Sequence, residues 1–215
     1  MAELQLNGDT IISGSVGNHT VASGVNIPAS IGGSLVLVST TSGTGVSELK
    51  FENTFNDTSI YKYIIEADLL PTTDDRHIVA QFGYGGASTT WITSAYRTII
   101  IETNYNGSAS AAPFRRAETG YAVYLTGTGG VTTDPGAHIT LDIVDPYNTT
   151  KLKMWKYVAS KLEQNNYWIH QTATSAWVDY PYALTAIKFF AYDYTGGGSH
   201  GNVTGAIRLY GLKGS

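Results

Sequence analysis

The chain has no cysteine, which excludes a disulfide scaffold and any thiolate metal site. Charge is scarce as well: 14% of the residues are Asp, Glu, Lys or Arg, against about 25% in an ordinary soluble domain. The 13 Lys and Arg residues are scattered, with no run longer than Arg115-Arg116, and the net charge is −4. Nucleic acid is read by a clustered basic face, so no nucleic-acid partner is expected. No apolar run approaches the ~18 residues of a membrane helix. Met1-Ala2-Glu3 lacks the basic start of a secretory signal, so no membrane partner is expected either. No fixed-period repeat appears, which argues against a propeller or a solenoid.

Catalytic signatures are missing too. The five histidines, His19, His77, His138, His170 and His200, do not fall in a His-Glu-x-x-His pattern or another zinc-ligand spacing. There is no Gly-x-Ser-x-Gly elbow and no phosphate-cradling Gly-x-x-x-x-Gly-Lys. Glu66 and Asp68 share one face of a strand pattern, and a glycosidase needs such a pair held about 5–9.5 Å apart across a sugar. A solvated strand face explains the two more simply. Asp74-Asp75 follows Pro71-Thr72-Thr73 as a turn and falls far short of the six to eight oxygens that calcium takes. The expectation is a protein that is not an enzyme and carries no cofactor or metal.

What the chain does contain is glycine (24), tyrosine (15) and much threonine. Threonine and tyrosine suit strands, and glycine suits the tight turns between them. Strand patterns fall near residues 34–40, 46–52, 61–68, 77–83, 91–102, 121–126, 137–145, 151–160, 167–172, 186–194 and 203–212. A spacing of roughly ten residues predicts an all-β, jelly-roll-like antiparallel sandwich, and 215 residues fit one large β domain of ~200–250. In 137–145 the alternation sends Ile139, Leu141 and Ile143 to the core, with His138, Thr140 and Asp142 outward. In the last strand Ile207 and Leu209 are core positions opposite Ala206, Arg208 and Tyr210. Lys151, Lys153 and Lys156 read as a solvated face or a protected edge. The one helix pattern, over 176–185, is interrupted by Pro181.

Residues 10–47 contain no Lys, Arg, Asp or Glu. Residues 1–33 show short apolar pairs separated by Gly, Ser and Asn, without the periodicity of an independent core. They read equally as an extended docking arm ordered by a neighbour, with Leu4, Leu6, Ile11 and Ile12 as its contacts, or as an ordinary edge strand. Residues 34–215 are the sandwich domain. Aromatic residues give the clearest lead toward binding. Trp168, Trp177, Tyr180 and Tyr182 fall in one segment with Asn165, Asn166, His170 and Gln171, and Trp91, Tyr96 and Tyr105 make a second group. Rings beside amides and hydroxyls suit contact with a sugar or a protein. They equally suit a sandwich core. Trp168, Trp177, Tyr180 and Trp91 are the candidate contacts.

The ending Gly205-Ala206-Ile207-Arg208-Leu209-Tyr210-Gly211-Leu212-Lys213 resembles the closing strand of a family of bacteriophage virion proteins, whose β-sandwich modules end in an "IRLYGL" type of sequence. Three further stretches are similar to that family in the same order: Ser34-Leu35-Val36-Leu37-Val38-Ser39-Thr40, then Tyr61-Lys62-Tyr63-Ile64-Ile65 with Leu70-Pro71-Thr72-Thr73-Asp74, then 175–190 leading into Ala186-Ile187-Lys188-Phe189-Phe190. The resemblance spans about 34–215. It implies a structural protein on the virion surface, assembled in the host cytoplasm, a homotrimer, with the major capsid protein or tail proteins as partners. Two roles fit. One is a capsid decoration or cement protein, favoured because only residues 1–33 precede the sandwich, which is short for a fibre. The other is a receptor-binding tail or head fibre protein that touches a host surface glycan. A glycan hydrolase or secreted lectin is the third class, and it lacks both a convincing acid pair and a signal peptide.

Overall fold

The structure, a computed structural model, describes residues 2–6, 9–15, 18–21, 35–105, 114–126, 131, 136–150, 153–162, 168–178, 181–193 and 200–213. Residues 1–33 and 34–214 form two compact units. In the first, β1 (Ala2–Leu6), β2 (Asp9–Ser15) and β3 (Asn18–Val21) make a three-stranded antiparallel sheet in that order. Within the segment read equally as an extended arm or an edge strand, the described residues are short paired strands. Leu6 lies opposite Asp9, and the two residues between them are Asn7-Gly8, the sequence most favourable to a two-residue hairpin.

The second unit holds β4 (Leu35–Val46), β5 (Leu49–Phe51), β6 (Ile60–Pro71), β7 (His77–Tyr84), β8 (Thr90–Trp91), β9 (Tyr96–Tyr105), β10 (Phe114–Gly120), β11 (Val123–Tyr124), β12 (Ala137–Val144), β13 (Lys153–Leu162), β14 (Trp168–Val178), β15 (Leu184–Tyr192), β16 (His200–Gly201) and β17 (Val203–Lys213). All pairings are antiparallel. An eight-stranded sheet runs β10-β9-β14-β13-β12-β6-β17-β4, and a six-stranded sheet runs β11-β7-β15-β16 with β5 on β15 and β8 on β7. The two sheets share one buried cluster: Tyr63, Ile65, Leu69, Ile139, Leu141, Trp155, Tyr157 and Leu209 come from the larger, Phe51, Ile78, Phe82, Ile187 and Phe189 from the smaller. The chain is therefore an all-β antiparallel sandwich. Its strands divide eight and six between the layers.

Rings and hydroxyls tie the layers together. The Phe82 and Trp155 rings meet at 5.0 Å across the sandwich. The Tyr96 hydroxyl, from the larger sheet, accepts the Phe82 amide at 2.7 Å and donates to the Ile92 carbonyl at 3.1 Å. The Tyr157 hydroxyl, also from the larger sheet, donates to the Tyr124 carbonyl at 2.7 Å. Each tyrosine places its body in the core and satisfies its polar tip on the opposite layer.

The period-two pattern holds in β12, where Ile139, Leu141 and Ile143 are buried, and in β17, where Ile207 and Leu209 are buried. Two expectations fail. Lys153 is not on a solvated face: it is 1% exposed, as is Lys161, and both sit on the inward row of β13 with Trp155, Tyr157 and Ala159. The strand is central, flanked by β12 and β14, and its pleat sends every second residue inward whatever its type. Burial lowers the Lys153 ammonium pKa, with the Asp145 carboxylate opposing the shift. Lys156 does face solvent and pairs with Asp142 at 3.3 Å. The second failure is the helix over 176–185. Among the described residues there is none; Trp177 and Val178 end β14 and Leu184 opens β15. Trp177 is paired on both sides, to Met154 and to Arg97. Two ladders outweigh a marginal helix that a proline would break.

Candidate functional site

The outer face of the six-stranded sheet is unlike a solvated strand face. β15 pairs with β7 in a register that sets Lys188 opposite Gln81, Phe190 opposite Val79 and Tyr192 opposite His77. Ile187, Phe189 and Ala191 belong to the shared core, so alternation turns Lys188, Phe190 and Tyr192 the other way. Water should meet them there. Instead Phe190, Val79 and Ala122 form a second, smaller buried cluster, against which Tyr121, Tyr124 and Tyr192 pack.

The rings form a connected platform. His200, on β16, stacks on Phe190 with centroids 4.4 Å apart and planes 8° from parallel. Its Nε2 lies 3.1 Å from the Tyr121 hydroxyl. Tyr121 stacks against Tyr192 at 5.6 Å, and Tyr124 meets Tyr192 edge-on at 6.1 Å and His77 at 5.9 Å. At the other end the Lys188 ammonium sits 4.7 Å over the Trp91 ring and 5.4 Å from Phe190, a cation–π arrangement. Gln81 is buried beneath and donates to the Tyr121 carbonyl at 3.1 Å. Tyr84 has the parity of Phe82 and packs on the shared core, so its stack with exposed Tyr182 at 4.7 Å is separate from this platform.

The charges around the platform cancel. Lys188 pairs with Glu48 at 3.1 Å, Lys50 bridges Glu48 at 3.3 Å and Glu52 at 3.1 Å, and Arg76 pairs with Asp193 at 2.9 Å. Burial acts to raise the Glu48 pKa, but Lys188 and Lys50 outweigh it and leave the carboxyl lowered. Packing on the rings lowers the His200 pKa below the usual imidazole range, with Lys188 adding to the shift and Glu48 opposing it. At neutral pH His200 is therefore an uncharged ring. The face offers flat aromatic area, phenol hydroxyls and imidazole nitrogen, with no net charge to attract an ion. It suits recognition by stacking and hydrogen bonding.

Of the candidate contacts Trp168, Trp177, Tyr180 and Trp91, the structure brings Trp91 to this face. Trp168 and Trp177 lie nine residues apart on β14, about 30 Å at the strand rise. Trp168 is registered with Leu162 and Tyr105, and Trp177 with Met154 and Arg97, so both belong to the larger sheet and neither joins the other. Tyr180 lies outside the described residues. In the first unit Leu4 is opposite Ile12 and Leu6 opposite Asp9, while Ile11 is the extra residue of a bulge. Tyr121, Tyr124, Phe190, Tyr192 and His200 were not singled out. The one local signal for them was the outward set Lys188, Phe190 and Tyr192, hidden inside an apolar run.

The larger sheet carries two charge ladders on its outer face. Asp68 contacts His138 at 2.6 Å and Arg208 at 3.4 Å, and Asp142 contacts Lys62 at 2.8 Å and Lys156 at 3.3 Å. Each carboxylate lies between two partners on neighbouring strands, a cross-strand arrangement that stabilises a solvated face. Among the described residues no group of three or more His, Asp or Glu side chains could hold a metal ion, and no helix is long and apolar enough to cross a membrane. Comparison with protein-family models, with curated proteins and with solved structures gives no match.

Proposed function

We propose that this chain is a non-enzymatic surface protein of a bacteriophage virion, and that its sandwich makes contact through the outer face of the six-stranded sheet. The observation that carries this reading is the platform of Tyr121, Tyr124, Tyr192 and His200 around buried Phe190. A sheet face turned to water has no structural need for so many rings, and rings supply large contact area with few rotamers to freeze. The phage assignment is supported by the closing string Ile207-Arg208-Leu209-Tyr210-Gly211-Leu212 and the three stretches that precede it in order. Of the two virion roles, receptor contact by a tail or head fibre protein is the one the platform favours, with a host surface glycan as the target.

The test uses the purified chain on host cells. The wild type should bind and should block phage adsorption. Tyr121→Ala combined with Tyr192→Ala should lower binding at least tenfold while the far-ultraviolet spectrum is kept. Binding equal to wild type would remove the platform from the contact.

Capsid decoration is the second reading, favoured by the separate unit of residues 1–33, a ready mount for a sandwich body. Labelling the protein on intact particles separates the two. Label spread regularly over the head supports decoration; label confined to the tail or to sparse fibres supports receptor contact.

A further inference from the structure

β4 closes one edge of the eight-stranded sheet. It pairs with β17 on one side, and among the described residues no strand pairs with the other. None of its twelve residues is buried, and Leu35 and Leu37 are 54% and 60% exposed. A strand that leaves one row of N–H and C=O groups open is a template for another chain. Natural edges are commonly blunted with lysine, inward charge, proline or a β-bulge; β4, Leu-Val-Leu-Val-Ser-Thr-Thr-Ser-Gly-Thr-Gly-Val, carries no lysine, charge or proline, and only bulges protect it.

Two β-bulges do interrupt it. Leu209 lies opposite Ser39 and Tyr210 opposite Leu37, so Val38 is extra; Val203 lies opposite Val46 and Gly205 opposite Gly43, so a second extra residue falls between them. Between the bulges Ser39, Thr40, Thr41, Ser42 and Gly43 run in unbroken register with β17. A bulge ends regular pairing, so these five residues are the straight segment, with its limits set on both sides.

We infer that this segment pairs antiparallel with the same segment of a second copy of the chain, about a two-fold axis, joining two eight-stranded sheets into one. Charge chooses the partner. An edge that carries charge and meets itself sets like charges opposite one another, which is destabilising. β4 carries none, and residues 10–47 hold no Lys, Arg, Asp or Glu, so self-pairing meets no repulsion and a partner selected by charge finds nothing to read. The side chains fit as well, since Ser and Thr opposite Thr and Ser form favourable hydroxyl pairs across strands. A two-fold contact is isologous: the same residues serve both sides and the assembly closes at two.

The absence of native cysteine makes the test clean. Single cysteines placed in the full chain at Ser39, Thr40, Thr41 and Ser42 are oxidised mildly. Two-fold antiparallel pairing brings only the residue nearest the axis face to face with itself, within the Cβ separation that a disulfide needs. The expected result is strong cross-linking to a dimer at one of these positions and weak cross-linking at the others. Alongside it, Thr40→Lys with Ser42→Lys should convert a dimer of 23.1 kDa chains to monomer in sedimentation while the far-ultraviolet spectrum is kept, and the melting temperature should lose the concentration dependence that association gives the wild type. A monomeric wild type overturns the inference. So does the lack of a cross-link at all four positions, whether the chain then forms a trimer or the edge is taken by a different virion protein.

Discussion

His200 shows how a single side chain reports on its surroundings. Its ring is packed face-on against Phe190 and edge-on against Tyr192, and its pKa is lowered by that packing and by Lys188. In the unfolded chain an imidazole titrates near 6.5. Between the folded value and that one the unfolded chain binds more protons, so stability rises with pH there and is lost as pH falls through about 6.5. The melting temperature of the wild type should therefore drop on acidification from pH 7.5 to 5.5, and His200→Asn should drop less. Equal slopes for the two proteins would mean that His200 is not held uncharged by its neighbours. The residue was visible in the sequence only as one of five histidines without a motif, because the rings that act on it come from segments near 121 and 190.

At the scale of the element, β17 and β12 were legible because a strand buried on one face writes its burial into the odd and even positions. In β17 Leu209 faces the core and Arg208 the solvent, where it meets Asp68 at 3.4 Å. Leu209→Ala should cost about 2–5 kcal/mol through lost burial and a residual cavity. Arg208→Ala should cost no more than about 1 kcal/mol, since an exposed ion pair contributes little. Chemical denaturation of the two variants measures both. The same strand places a glycine where its pairing with β4 is bulged: Gly205 has φ +143°, and a Cβ there would come within 2.0 Å of the Asp68 carbonyl oxygen. Other elements were harder to read. The hairpin of β1 and β2 carried its own signal in Asn7-Gly8, which the low periodicity of the flanks obscured. β10 (Phe114–Gly120) follows no apolar alternation, and among the described residues only β9 pairs with it. Lys153 was misread because its type says surface, while its parity in a central strand says core.

The whole molecule divides where the chain changes character. Among the described residues, every buried member of the shared core lies from Leu49 to Leu209, so residues 34–214 hold a hydrophobic centre of their own. Removing residues 1–33 should leave one cooperative thermal transition, shifted by no more than a few degrees. Loss of cooperativity, or aggregation at low concentration, would mean that the first unit is needed to complete the sandwich. The truncated chain also separates mounting from contact: it should still bind host cells if the ring platform is the recognition face, and it should no longer occupy the particle if residues 1–33 are the mount.

The amino-acid sequence alone determined that this protein is all-β, where most of its strands run, and which residues of the best-patterned strands face inward. Those properties are local: alternation, turn chemistry and scarcity of charge act within a few residues of themselves. Only the tertiary structure decided which rings become neighbours. Trp168 and Trp177 are close in sequence and sit at opposite ends of one strand, whereas His77, Tyr121, Tyr192 and His200 come from four segments to one face. Cross-strand partners are chosen by register between segments far apart in the chain, and a register shift of one residue moves a whole set of side chains to the other face. That choice is made by the burial of the shared core, which no single segment contains.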